Sequence, residues 1–127
     1  MKLRAIAGLI CCAALLALPA GAGAKAPPIK TSIIIDDGQP GGLGLELLGH
    51  LTSPNPKCVS GRTVKLFFVY TSTGRTLADT DLSSTHGIWA LTGDNTDFTS
   101  IHLVVARKAF GPKGHRRVCA RITTQVV

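Results

Sequence analysis

"SPNPKCVSGRTVKLFFVY", residues 53–70, is the stretch whose reading decides the fold. Its second half alternates along an extended chain. Val64, Leu66, Phe68 and Tyr70 fall on one face, and Thr63, Lys65, Phe67 and Val69 on the other. Period two with β-branched and aromatic residues predicts a strand over 62–70. The second face is also partly apolar, which predicts a strand in the middle of a sheet. The first half reads as a turn over 53–57, because Pro54 and Pro56 each restrain the residue before them. Cys58 lies at the joint between the turn and the strand.

The same punctuation repeats outward. Residues 31–35 are β-branched and predict a strand, followed by a Gly- and Pro-bearing loop over 36–44. Residues 45–52 predict a strand, since Leu45, Leu47 and Leu51 sit at even spacing and Gly49 would weaken a helix. Residues 71–74 form a turn, 75–80 a short edge strand, and 81–87 a turn. Residues 88–92 form a strand carrying Trp89 and Leu91, and 93–97 another turn. Residues 98–108 place Ile101, Leu103 and Val105 inward. After a turn over 109–114, residues 115–124 place Val118, Ala120 and Ile122 inward. About seven short strands with turn residues at each joint, and no convincing helix, predict an all-β antiparallel β-sandwich.

The first 24 residues read differently. Lys2 and Arg4 precede an apolar run over 5–18, Pro19 breaks it, and small residues follow in an A-x-A pattern. This is the grammar of a secretory signal peptide. The run falls short of the roughly 20 residues that a membrane span needs. Cys11 follows Ile10, and the apolar run continues past Cys12, so both read as leader filler and not as lipid attachment sites. The organisation expected is a leader over 1–24, a lead-in and first strand over 25–44, and a β-sandwich domain over 45–127. The expected product is secreted, with no membrane span after cleavage.

Beyond the leader two cysteines remain, Cys58 and Cys119. In an oxidising compartment an even pair closes, and no C-x-x-C motif suggests redox work. Closing the roughly 60-residue loop between them stabilises by at most about 4 kcal/mol on the loop-entropy estimate. One difficulty follows from the alternation. If Val118, Ala120 and Ile122 face the core, Cys119 faces away. Either the bridge crosses an outer surface or a bulge resets the alternation.

The segment over 48–122 resembles the small exported bacterial domains with a carboxypeptidase-regulatory-like or transthyretin-like (prealbumin-like) sandwich. The residues that carry the likeness are Gly49, Leu51, Ser53, Asn55-Pro56-Lys57-Cys58, Gly61-Arg62, Val64-Lys65-Leu66-Phe67, Gly74 and Leu77. They are joined by the Thr-rich turn from Thr80 to Trp89, with His86 in place of the usual acidic or small polar residue, and by Cys119. The resemblance implies a transthyretin-like or immunoglobulin-like sandwich and a non-enzymatic module for structure, adhesion or binding.

Motifs for chemistry are sparse. His50, His86, His102 and His115 share no metal-ligand spacing, and no G-x-S-x-G elbow supports a hydrolase. Asp94-Asn95-Thr96-Asp97 lacks the glycine and the distal glutamate of a calcium loop, and Asp36-Asp37 reads as a turn. Glu46 is the lone glutamate, and Asn55 and Asn95 lie outside the final strand, so an isopeptide crosslink is not expected. No catalytic residue, metal or cofactor is expected.

Charge is the one functional hint. Lys2 and Arg4 account for two of the 14 Lys and Arg; the other 12 face 7 Asp and Glu, a formal +5. Arg107, Lys108, Lys113, Arg116, Arg117 and Arg121 form a run with no acid among them. On a hairpin they would gather at one end of the sandwich. Two readings follow: a structural or interaction module whose charges protect a sheet edge, or a binding module for anionic cell-surface polymers or glycans. Another surface protein is also an eligible partner. Nucleic acid is disfavoured, since Phe110 is the only aromatic among these cations.

Overall fold

The computed structural model describes residues 26–41, 44–71, 74–94 and 98–126. The leader expected over 1–24 lies outside the described residues, as do Asn95, Thr96 and Asp97 of the calcium-like turn. The described chain is all-β. It forms β1 (Ser32–Gly41), β2 (Gly44–Thr52), β3 (Thr63–Tyr70), β4 (Gly74–Leu82), β5 (Ile88–Gly93), β6 (Ser100–Val105), β7 (Lys108–Phe110), β8 (Arg117–Cys119) and β9 (Ile122–Val126). A single 3-10 turn, Pro56–Cys58, interrupts them between β2 and β3. No helix among the described residues is long and apolar enough to cross a membrane.

Two antiparallel sheets form the sandwich. One has the order β1-β2-β5 and the other β4-β3-β6-β9; β7 and β8 make a separate two-stranded hairpin. The alternation of residues 63–70 decides which side of β3 is buried. Val64, Leu66 and Phe68 meet Ile101, Leu103 and Val105 of β6 on the inner face. Leu47, Leu51, Trp89 and Leu91 close on them from the three-stranded sheet. β3 is an inner strand, as its two partly apolar faces predict.

Large side chains force glycine at two places. A Cβ at Gly49 would lie 2.1 Å from the Ile34 carbonyl oxygen and 2.4 Å from Trp89 Cζ2. One at Gly93 would lie 2.1 Å from Cζ of Phe68, whose ring stacks on Phe98 at 4.6 Å between centroids. Glycine at these sites is the room that Trp89 and Phe68 occupy.

One side of the sandwich is closed by carboxylates. β4 and β5 are edge strands of different sheets. Asp81 Oδ2 accepts from the Ala90 N–H and Asp79 Oδ2 from the Thr92 N–H, both at 2.8 Å. Their Oδ1 atoms accept from the next backbone N–H of their own strand, Leu82 and Thr80. Each carboxylate therefore occupies N–H groups of β5 that another chain would otherwise pair with.

Three segments depart from the sequence expectation. Residues 36–41, expected in a loop, continue β1 to a tight closure of Gly41 on Gly44. Pairing on one side only lets an edge strand carry Asp36, Asp37 and Pro40, and a bulge between Ile35 and Asp37 absorbs the change of pattern. The strand expected over 98–108 breaks at Ala106–Arg107 into β6 and β7. The strand expected over 115–124 breaks at Ala120–Arg121 into β8 and β9. The second break resolves the difficulty over Cys119. Alternation restarts at Ile122, so Cys119 is fully buried while Ile122 still packs on the core.

Candidate functional site

The strand registers place Thr52, Thr63, Ile88, Val105 and Ile122 at one end of the sandwich. The β7–β8 hairpin and the Pro56–Cys58 turn sit there. Asn55 caps that turn, its Oδ1 accepting from the Lys57 N–H at 2.9 Å. Proline at the first turn position needs no donor there, so Asn-Pro starts a one-turn helix that delivers Cys58 inward. Cys58 is bonded to Cys119 with their Cα atoms 5.4 Å apart, and both are fully buried. Ile29 and Phe110 pack against the bridge in a small second core. The N-terminal lead-in is pinned to the hairpin by two backbone bonds: Ile29 N–H donates to the Val118 carbonyl (2.7 Å), and Ala120 N–H donates to the Ile29 carbonyl (2.9 Å).

Behind this end lies a residue whose role sequence reasoning missed. Arg62 is 0 % exposed and carries no carboxylate partner. Its Nη1 donates to the Cys58 carbonyl (2.7 Å) and Thr31 Oγ1 (3.0 Å), and its Nη2 to the carbonyls of Ala106 and Ala120 (2.8 Å each). Nε donates again to the Ala106 carbonyl at 3.2 Å. All five guanidinium N–H groups are engaged, so none is left for a ligand. Ala106 and Ala120 are the points where the chain leaves and rejoins the four-stranded sheet. Burial pushes the Arg62 pKa below its ordinary value, and the carbonyl dipoles take the place of the lost water. No local pattern marks this role, since an arginine at the start of an alternating strand reads as a solvated end.

The six cations singled out in the sequence all lie at this end or on the hairpin, but they divide. Lys108 turns toward the body, its Nζ donating to the carbonyls of Ser60 (2.6 Å) and Lys57 (3.0 Å). Lys57 in turn sits over the Phe110 ring, 6.0 Å from its centroid. Arg107 and Arg116 face the other way. With Ala26, Pro27, Pro28, Ala109, Gly114 and Val118 they line an open groove of about 730 Å³ between the lead-in and the hairpin. Lys113, Arg117 and Arg121 are exposed.

Acidic groups lie elsewhere. Residues 98–126 contain none, and no acid lines the groove. Glu46 and Asp94 sit at the opposite end, by Gly93. Asp79 and Asp81 accept from β5. The only ion-pair contact among the described residues is Asp36 Oδ2 with His50 Nδ1, at 2.7 Å on the outer side of the three-stranded sheet. Among the described residues no three His, Cys, Asp or Glu side chains converge as metal ligands do. No family model matches this chain, and no curated protein and no solved structure matches it.

Proposed function

We propose that this protein is an exported, non-catalytic interaction module that holds anionic polymers at the cationic end of its sandwich. Segregation of charge is the observation that carries the reading. Arg107, Lys113, Arg116, Arg117 and Arg121 project at one end with no carboxylate paired to them among the described residues. An array of like charges repels itself and weakens the fold unless a counter-charge arrives. A polymeric anion supplies many at once, and its binding weakens as salt screens the contacts. The disulfide supports export, since such bridges persist in oxidising compartments. The sequence likeness to transthyretin-like exported domains supports a module without turnover.

Edge protection by the same charges is the competing reading. Against it, the side of the sandwich at β4 and β5 is already closed by Asp79 and Asp81, and the hairpin's cations lie at an end and not along that edge. Nucleic acid fits less well. Phe110, the hairpin's aromatic, packs on the disulfide cluster with Lys57 over it, so it offers no free face for base stacking.

The test is retention of the secreted chain on immobilised polyanion across a salt series. Elution is expected to shift to lower salt when Arg116 and Arg117 are both reversed to Glu. Retention that ignores both salt and the double reversal would refute the reading.

A further inference from the structure

The geometry points to the groove between the Pro27–Pro28 lead-in and the β7–β8 hairpin as the seat of the polymer, and to an unbranched phosphodiester chain with short hydrocarbon spacers as its occupant. This rests on the proposal that the cationic end binds anionic polymers, and it names where and which.

The lining decides the chemistry. Eight described residues line the groove, and among them Arg107 and Arg116 carry the polar side chains; the rest are Ala26, Pro27, Pro28, Ala109, Gly114 and Val118. A pyranose chain would bring several hydroxyls per ring to a floor without side-chain partners for them, and each desolvated hydroxyl left unpaired opposes binding. A phosphodiester chain carries its charge in its own backbone. Its phosphates suit the flat guanidinium fork, and its methylene spacers suit proline, alanine and valine. No aromatic side chain lines the groove, so bases gain nothing there.

The parity of the hairpin makes the selection. Lys108 pairs with Cys119 and turns to the body, while Ala109 pairs with Val118 and turns to the groove. Arg107 and Arg116 flank that apolar pair. The opposite wall is held in place by the two hydrogen bonds of Ile29 to β8, with the disulfide directly behind. The lead-in wall is thus anchored at Ile29 before a ligand arrives, which lowers the ordering cost of binding.

The experiment compares two double variants that each remove two positive charges. R107Q/R116Q alters the groove; R117Q/R121Q alters the same end outside it. Poly(trimethylene phosphate), a phosphodiester chain whose three-carbon spacers carry no hydroxyl, is titrated at low salt against the full secreted chain, with thermal unfolding confirming that each variant folds. The groove pair is expected to lose at least tenfold in affinity and the outer pair no more than threefold. Amide NMR signals of Ala109, Gly114 and Val118 are expected to shift during titration of the unsubstituted protein. Polygalacturonate and oligothymidylate of equal charge are expected to bind at least fivefold more weakly. Equal losses in the two variants, or silent groove amides, would overturn the seat and leave the cationic-end reading standing. Tighter binding of either comparison polymer would overturn the ligand class. Absence of any salt-sensitive binding by the unsubstituted chain would instead remove the reading on which this inference rests.

Discussion

Replacing Arg62 by methionine removes a cation that joins four separated parts of the chain. The guanidinium holds the carbonyls of Cys58, Ala106 and Ala120 and the Thr31 hydroxyl. Two effects oppose each other. Removing a buried charge relieves its desolvation, and buried ion pairs can be replaced by apolar residues at little cost when both partners go. Here three of the four partners are backbone carbonyls, which no substitution removes. Each loses a charged hydrogen bond, valued at about 1.5–3 kcal/mol; the Cys58 bond is buried and the Ala106 and Ala120 bonds are part-buried. The terms do not simply add, because water enters and the site relaxes. A net loss of about 3–5 kcal/mol is expected, well below the sum over three carbonyls and a hydroxyl at about 1–3 kcal/mol each. At about 4–8 °C per kcal/mol for a domain of this size, the midpoint falls by roughly 12–40 °C. Lysine keeps the charge but has three donors for four acceptors, so R62K should fall between, at about 2 kcal/mol. Urea and thermal unfolding under non-reducing conditions measure both. The pH dependence is distinctive. Burial lowers the folded-state pKa, so losing the proton favours folding only as pH climbs through the folded value toward the ordinary arginine range. The R62M penalty should therefore stay level at acidic and neutral pH. An R62M protein within about 1 kcal/mol of the unsubstituted chain would refute the argument that these carbonyls depend on Arg62.

Other perturbations probe the remaining devices. Replacing Cys58 and Cys119 together by serine should cost up to about 4 kcal/mol by loop entropy, read from urea midpoints. Intact mass of the unsubstituted protein should show no free thiol at Cys58 or Cys119. D79A and D81A should each destabilise by about 0.5–1.5 kcal/mol by removing an exposed hydrogen bond to a β5 N–H that water can then reach. The double variant should also self-associate through that freed edge, seen by light scattering; a monomeric, fully stable double variant would contradict the edge-closing role. G93A should drive the Phe68 ring off Phe98 and cost about 1–3 kcal/mol, with near-ultraviolet dichroism reporting lost aromatic packing; an unchanged spectrum and midpoint would show that the ring has room.

Much of the architecture is written in local pattern. The alternation of residues 63–70 is enough to orient β3, because side chains on a pleated strand must alternate and only one face is continuously apolar. Cys58 and Cys119 could be paired once Cys11 and Cys12 were assigned to the expected leader, since only two cysteines then remain. The cationic run was legible for the same reason, as charge is additive along a chain. The division of that run was not legible. Lys108 and Arg107 are neighbours in sequence, yet one is tied to backbone carbonyls and the other faces the groove. Which side each takes depends on where the strand breaks, and the breaks lie where carbonyls turn to meet Arg62, 44 and 58 residues away in sequence. The extension of β1 through Asp36, Asp37 and Pro40 likewise follows from its place at a sheet edge, where one side of the backbone needs no partner. Periodicity is a property of a single strand and can be read from it. Breaks, edges and the walls of a groove are set by which distant backbone groups must be satisfied together, and only the folded chain brings those groups within reach.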